Sequence, residues 1–171
     1  MRADARAAQP RGSAYRPLPV RPAVSTRADA TRQNEAVASI FDPAPDWVTL
    51  TAQTPEGNPV EVLIDRAIAT TVPYPVFTMQ VAVACSLGET RDGMPAESDK
   101  DNLRTLEQGL VDAAAGEARL VARTTLEGMR EWMFYGRTTA WTHPFVEGGL
   151  SVRAGDDPTF SGLLELASAP D

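Results

Sequence analysis

The chain has 171 residues, 43% hydrophobic and 23% charged, with a formal net charge of −7. That supplies a core for one globular domain, while no apolar run is long enough to span a bilayer and the lone Cys85 excludes an intrachain disulfide framework. The charge is split: seven arginines against Asp4 and Asp29 give residues 1–34 a net +5, and the remainder carries −12, so the body repels nucleic-acid phosphates and attracts a basic protein.

Residues 1–45 are rich in Arg, Ala and Pro, with no apolar period, and cannot offset their ordering entropy. They are expected to be a disordered tail. An Arg-rich start is also the composition of an organelle transit peptide, of an overcalled start or of an RNA-touching tail. Residues 46–171 are expected to form a single α+β domain.

"WVTLTAQ" from Trp47 predicts a short strand, and "PEGNP" (55–59) a turn. "VEVLIDRAI" follows as a strand with Val60, Val62 and Ile64 on one face, leaving Glu61 and Asp65 as solvent-facing charges. "TTVPYP" breaks the pattern. "VFTMQVAVACSL" is the clearest strand, with Phe77, Met79, Val81 and Val83 facing one way. In it Cys85 reads as a small buried hydrophobe of a reducing compartment, which points to the cytoplasm.

After the loop "GETRDGMPAE", Ser98 and Asp101 resemble a capping box, and Leu103, Leu106, Leu110, Val111 and Ala114 recur at helical spacing up to a stop at Gly116. Gly109 inside that helix costs about 1 kcal/mol relative to Ala, which a close approach to the sheet would explain.

"EARLVARTTLEGMREWMFYGRT" predicts a hairpin. A three-residue turn at Leu126-Glu127-Gly128 pairs Leu120 with Phe134, Ala122 with Trp132, Arg123 with Glu131 and Arg119 with Tyr135. A two-residue turn would instead set Arg123 against Trp132 and lose the Arg123–Glu131 match; the first register is preferred. Trp132 and Phe134 are then core residues beneath the helix. Arg119, Arg123, Met133 and Tyr135 share the opposite face, the candidate surface for a protein partner if it is uncovered. "LSVRA" predicts a last strand, "GDDP" a turn, and "FSGLLEL" an apolar segment docking on the body.

From Trp47 onward the pieces "DWVTLTAQ", "GNPVEVLID", "YPVFTMQVAV", "LRTLEQGLVDAAAG", "RLVARTTLEGMREWMFYGR" and "GDDPTFSGLLEL" resemble the domain of unknown function 695 family of bacterial proteins. The resemblance implies a ferredoxin-like α+β fold, an antiparallel sheet with helices on one face, and carries over no catalytic residue. Some members look distantly similar to the regulator of ribonuclease E activity B family, small acidic proteins that bind and inhibit a ribonuclease. One departure stands out. Where similar proteins place a second amphipathic helix, this chain has "TTAWTHPFVEGG" (138–149). Pro144 and Gly148-Gly149 leave little room for it. The second helix is expected to be shortened or missing, with Trp141, Phe145 and Val146 plugging the gap. A strip of sheet left bare there would be open to solvent or to a second copy, a homo-oligomer.

Residues that carry chemistry are few. The single His143 lies in a loop with nothing to bring it to Cys85. A zinc site lacks ligands. The acids Asp92, Glu97, Asp99 and Asp101 lack the EF-hand pattern and read as a solvated helix start. Asp156-Asp157 reads as a turn. No metal or cofactor is expected. The sequence therefore points to a non-catalytic, cytoplasmic module that binds an unidentified protein, as an inhibitor or immunity protein does. The alternatives are an enzyme using carboxylates such as Asp156, Asp157 or Glu97, and RNA contact through the basic tail.

Overall fold

The computed structural model describes residues 41, 43–70, 74, 76–88 and 90–168. Nearly all of the expected tail, and both prolines of "TTVPYP", lie outside the described residues. Strands β1 (Trp47–Gln53) and β2 (Pro59–Asp65) form a hairpin whose turn uses Gly57 at φ +87°. The one-turn helix α1 (Arg66–Ala69) leads on to β3 (Met79–Ser86). Two short strands, β4 (Thr90–Arg91) and β5 (Met94–Pro95), pair within the stretch read as a loop. A 3-10 turn over Glu97–Asp99 precedes helix α2 (Lys100–Ala113). Then come β6 (Ala118–Leu126), β7 (Met129–Gly136), a 3-10 turn over Ala140–Thr142, helix α3 (His143–Glu147), β8 (Ser151–Asp156) and helix α4 (Ser161–Ala167).

The main sheet runs β1-β2-β6-β7-β3-β8, antiparallel throughout. In chain order β3-α2-β6-β7-α3-β8 is a βαββαβ unit with the strand order of a ferredoxin-like fold. The β1–β2 hairpin widens that sheet at the edge of β6. The α+β expectation therefore holds, with two strands more than the core motif requires.

Each face of the sheet has its own core. On one face Leu103, Leu110 and Ala114 pack on Val81, Val83, Leu120, Trp132 and Phe134. Trp132 and Phe134 are fully buried there, as the alternation required. The shortened second helix is real: a 3-10 turn and the five-residue α3 take its place. Trp141 stacks at a tilt on Phe134, ring centres 4.8 Å apart, and Phe145 packs beside them, but Val146 stays half exposed. On the other face α1 and α4 bring Ile68, Phe160 and Leu163 over Ile64, Val121, Ala122 and Tyr135. Helices thus cover both faces.

The β6–β7 hairpin departs from the expected register in an instructive way. Near its open end Arg119 faces Tyr135 and Leu120 faces Phe134, as expected. Near the turn Arg123 faces Trp132, Thr124 faces Glu131 and Leu126 faces Met129. A bulge between Leu120 and Ala122 reconciles the two. The turn holds only Glu127 and Gly128, at φ +50° and +78°, the positive pair that suits a two-residue hairpin. Val121 and Ala122 consequently both join the α4-side core, and everything after them changes face.

Three local expectations are also corrected. The capping box does not form: Ser98 lies in the 3-10 turn, and Asp99, at the N-cap position, makes no capping bond. Gly109 does not approach the sheet, since a Cβ there would meet nothing within 4 Å. Gly155 and Asp156 extend β8, so the turn begins only at Asp157.

Candidate functional site

The bulge decides where the arginines go. Counting by alternation puts Arg119 and Arg123 on one face. The extra residue at Val121 keeps Arg119 on the α4 side and delivers Arg123 to the α2 side, opposite Trp132. The four expected partner-face residues are therefore split, and their shared face is covered. Tyr135 is fully buried, Arg119 is 9% exposed and Met133 packs against the α4-side core.

The covered residues have structural partners. Arg119 donates to the Asp65 carboxylate at 2.7 Å and to the Pro43 carbonyl. Asp65, read as a solvent-facing charge, is completely buried, because it also accepts the Asp46 and Ala67 amides and so joins the start of β1 to α1. The Tyr135 ring stacks on Phe160 at 4.1 Å, and its hydroxyl donates to Asp157 at 2.5 Å. The Asp157 carboxylate further accepts the Ser161 and Gly162 amides and the Ser161 hydroxyl, anchoring α4. Burial alone would raise the Asp157 pKa, but these donors hold it at about 2. Burial, reinforced by the Asp157 charge, pushes the Tyr135 phenol well above its ordinary value.

Arg123 lines a different environment, an open pocket of about 400 Å³ between α2 and the β2–β6–β7 surface. Arg130 from β7, Glu61 from β2 and Lys100, Arg104 and Glu107 from α2 line it too, and β5 supplies Met94 and Pro95. The mini-hairpin is tied in place by the Gly128 amide donating to the Gly93 carbonyl at 2.9 Å. A Cβ on Gly93 would come within 3.0–3.3 Å of the Glu127–Gly128 backbone, so this contact favours glycine.

Inside the pocket the charges do not balance. Glu107 accepts from the Trp132 indole at 2.7 Å and from Arg123 at 3.1 Å, and Glu61 lies 3.7 Å from Arg123. These two acids serve Arg123, whose buried Nε still has no hydrogen-bond partner. Arg130 is 8% exposed, and its Nε donates to the Thr125 hydroxyl at 3.1 Å. Among the described residues its terminal nitrogens meet no carboxylate. Burial, with the Arg123 charge adding to it, lowers the Arg130 pKa, and the charges of Glu61 and Glu107 partly oppose that. Four cations and two carboxylates line the pocket, and two of the cations, Lys100 and Arg104, also pair on the solvent side with Glu97 and Asp101.

Sequence reasoning missed Arg130, Lys100 and Arg104, and placed Glu61 in solvent. A signal for Arg130 was present. In "REWMFYGRT" it falls in step with Trp132 and Phe134, so a cation had to enter the core face. The candidate chemical residues stay apart. Exposed His143 lies 3.8 Å from Glu147 in α3. Burial pushes the Cys85 thiol up, even with Arg130 opposite it on β7. Glu97 pairs with Lys100 and Asp101 with Arg104. Among the described residues no His, Cys, Asp and Glu group could hold a metal ion, and no helix is long and apolar enough to cross a membrane.

A family of unknown function, DUF695, has a sequence model that matches residues 46–147. The match spans the pocket and the sheet up to α3. No curated protein and no solved structure matches the chain.

Proposed function

This chain belongs to the family of unknown function DUF695, and from that premise we propose that it is a non-catalytic binding module whose basic pocket receives an acidic group of a protein partner. Arg130 carries the proposal: a buried cation with no carboxylate in ion-pair contact among the described residues, stabilised only by the more distant charges of Glu61 and Glu107, favours a further anion. The acidic body repels extended polyanions such as nucleic acid, while the pocket admits one local anionic group. This revises the kind of partner suggested by net charge alone, which was a basic one.

Several observations support a role without catalysis. The groups with the most displaced pKa values, Tyr135 and Asp157, are buried and hold α4 in place. Asp156 is exposed at the end of β8, and Glu97 is paired outside α2. These acids do not form the convergent constellation that an enzyme of that type needs. An inhibitor-like role in the cytoplasm is what a distant resemblance of some family members to the regulator of ribonuclease E activity B family would imply.

The Trp132–Glu107 bond couples Trp132, one of three tryptophans, to the pocket, so a ligand-induced change in tryptophan emission reports on it. Acidic and basic peptides are titrated against the full chain and its Arg130→Gln variant, and both folds are checked by circular dichroism. The acidic peptide should bind the parent and not the variant. Equal binding to both, or a preference for the basic peptide, refutes the proposal.

A further inference from the structure

We propose that the acidic group taken by this pocket is a phosphate monoester dianion. The inference rests on the binding reading above and names its ligand. Its first support is charge. The lining carries four cations and two carboxylates; Lys100 and Arg104 also pair with Glu97 and Asp101, but those pairs are solvent-exposed and weak, so a phosphate monoester, with −1.5 to −2 at pH 7 (about two charges), can draw on both cations. A single carboxylate brings only about half that charge.

The second support is donor geometry. Arg130 presents terminal N–H groups that meet no carboxylate among the described residues, beside an Arg123 already oriented by Glu61 and Glu107. Both guanidinium groups border the same pocket. Planar forks of this kind match phosphate oxygens, and three oxygens can satisfy donors that a carboxylate's two cannot. Lys100 adds a mobile charge at the rim: its pair with Glu97 is solvent-exposed, so it can turn inward at little cost.

The third support is shape. The pocket, about 400 Å³, is far larger than a bare anion. Met94 and Pro95 give it an apolar border beside the cations. That border suits the carbon skeleton of an esterified phosphate. Glu61 and Glu107, which line the pocket while holding Arg123, disfavour a long run of negative charge.

The test uses calorimetry and tryptophan fluorescence on the full chain. The probes are O-phosphoserine, a phosphoserine peptide, the same peptide with Ser or Glu at that position, inorganic phosphate, and succinate. At least one phosphate monoester should bind about tenfold or more tightly than its carboxylate counterpart. Its affinity should rise between about pH 5 and pH 7 as the second phosphate proton leaves. Arg130→Gln should weaken it at least tenfold. Lys100→Gln, an exposed change that leaves the fold intact, should weaken it several-fold.

Tight binding of free O-phosphoserine identifies a small phosphate ester as sufficient; binding of the phosphopeptide alone identifies a phosphorylated protein. Either supports the inference. If the Glu peptide or succinate binds as tightly, through Arg130, the pocket reading survives and the phosphate inference falls. If no probe binds, or neither substitution matters, both fall.

Discussion

Replacing Asp157 by Asn tests the account of how α4 is held. The carboxylate gathers five donors: Tyr135 Oη and the Gly162 amide on Oδ2, and the Ser161 amide, Ser161 Oγ and Thr159 Oγ1 on Oδ1. Asparagine can offer an oxygen to one side only. If its amide nitrogen replaces Oδ2, it faces the Gly162 N–H donor to donor. The magnitude follows from titration. The unfolded group titrates at 3.8 and the folded one at about 2, which corresponds to roughly 2 kcal/mol at neutral pH. Because the folded pKa is depressed, that contribution is complete above about pH 4 and is lost as pH falls through about 2. Scanning calorimetry of Asp157→Asn should therefore show a melting temperature about 5–10 °C lower at pH 7. The gap should narrow below pH 4 and close near pH 2. Equal melting temperatures at pH 7, or a gap undiminished at pH 2, would refute the reasoning.

Three further substitutions probe the rest of the fold. Gly109→Ala should stabilise the protein by up to about 1 kcal/mol in urea titrations, because a Cβ there meets open space in mid-helix; a loss would mean that the glycine serves another purpose. Gly136→Ala should cost about 1–3 kcal/mol in the same assay, since the new Cβ would lie 2.5 Å from the Ala118 Cβ and 2.7 Å from the Glu117 oxygen. Arg119→Met should cost about 3–5 kcal/mol by leaving Asp65 buried without its cation. Adding Asp65→Asn should recover part of that loss, and strict additivity of the two changes would count against a coupled pair.

The fold was largely legible because its signals are local. Alternation from Met79 to Ser86, helical spacing from Leu103 to Ala114 and the paired apolar runs around Glu127-Gly128 fix three strands and a helix. The bulge was not legible. Val121 and Ala122 are ordinary strand residues, and the extra residue is absorbed only because α4 supplies a core for both. That one residue reassigned Arg123 and with it the candidate site. The depth of Asp65 was hidden for a related reason. Its partners, Arg119 and the Asp46 amide, lie 54 and 19 residues away, so only tertiary structure can show that burial there is compensated.

The two buried arginines sharpen the functional argument. Arg119 and Arg130 sit in neighbouring strands of the same hairpin, and each is less than a tenth exposed. Arg119 is neutralised by a fully buried carboxylate that is itself held by two backbone amides. Asp157, on the same side, is likewise surrounded by donors. Where burial serves architecture, then, this fold compensates its charge with protein groups. Arg130 faces a solvent-open pocket with a hydroxyl on its Nε, while both nearby acids make their ion pairs with Arg123 and act on Arg130 only as more distant charges. An apolar side chain would fill that position without the desolvation cost. On the proposed reading, a buried cation left in a cavity large enough for a small molecule has its physical rationale in a counter-ion that arrives from outside the chain.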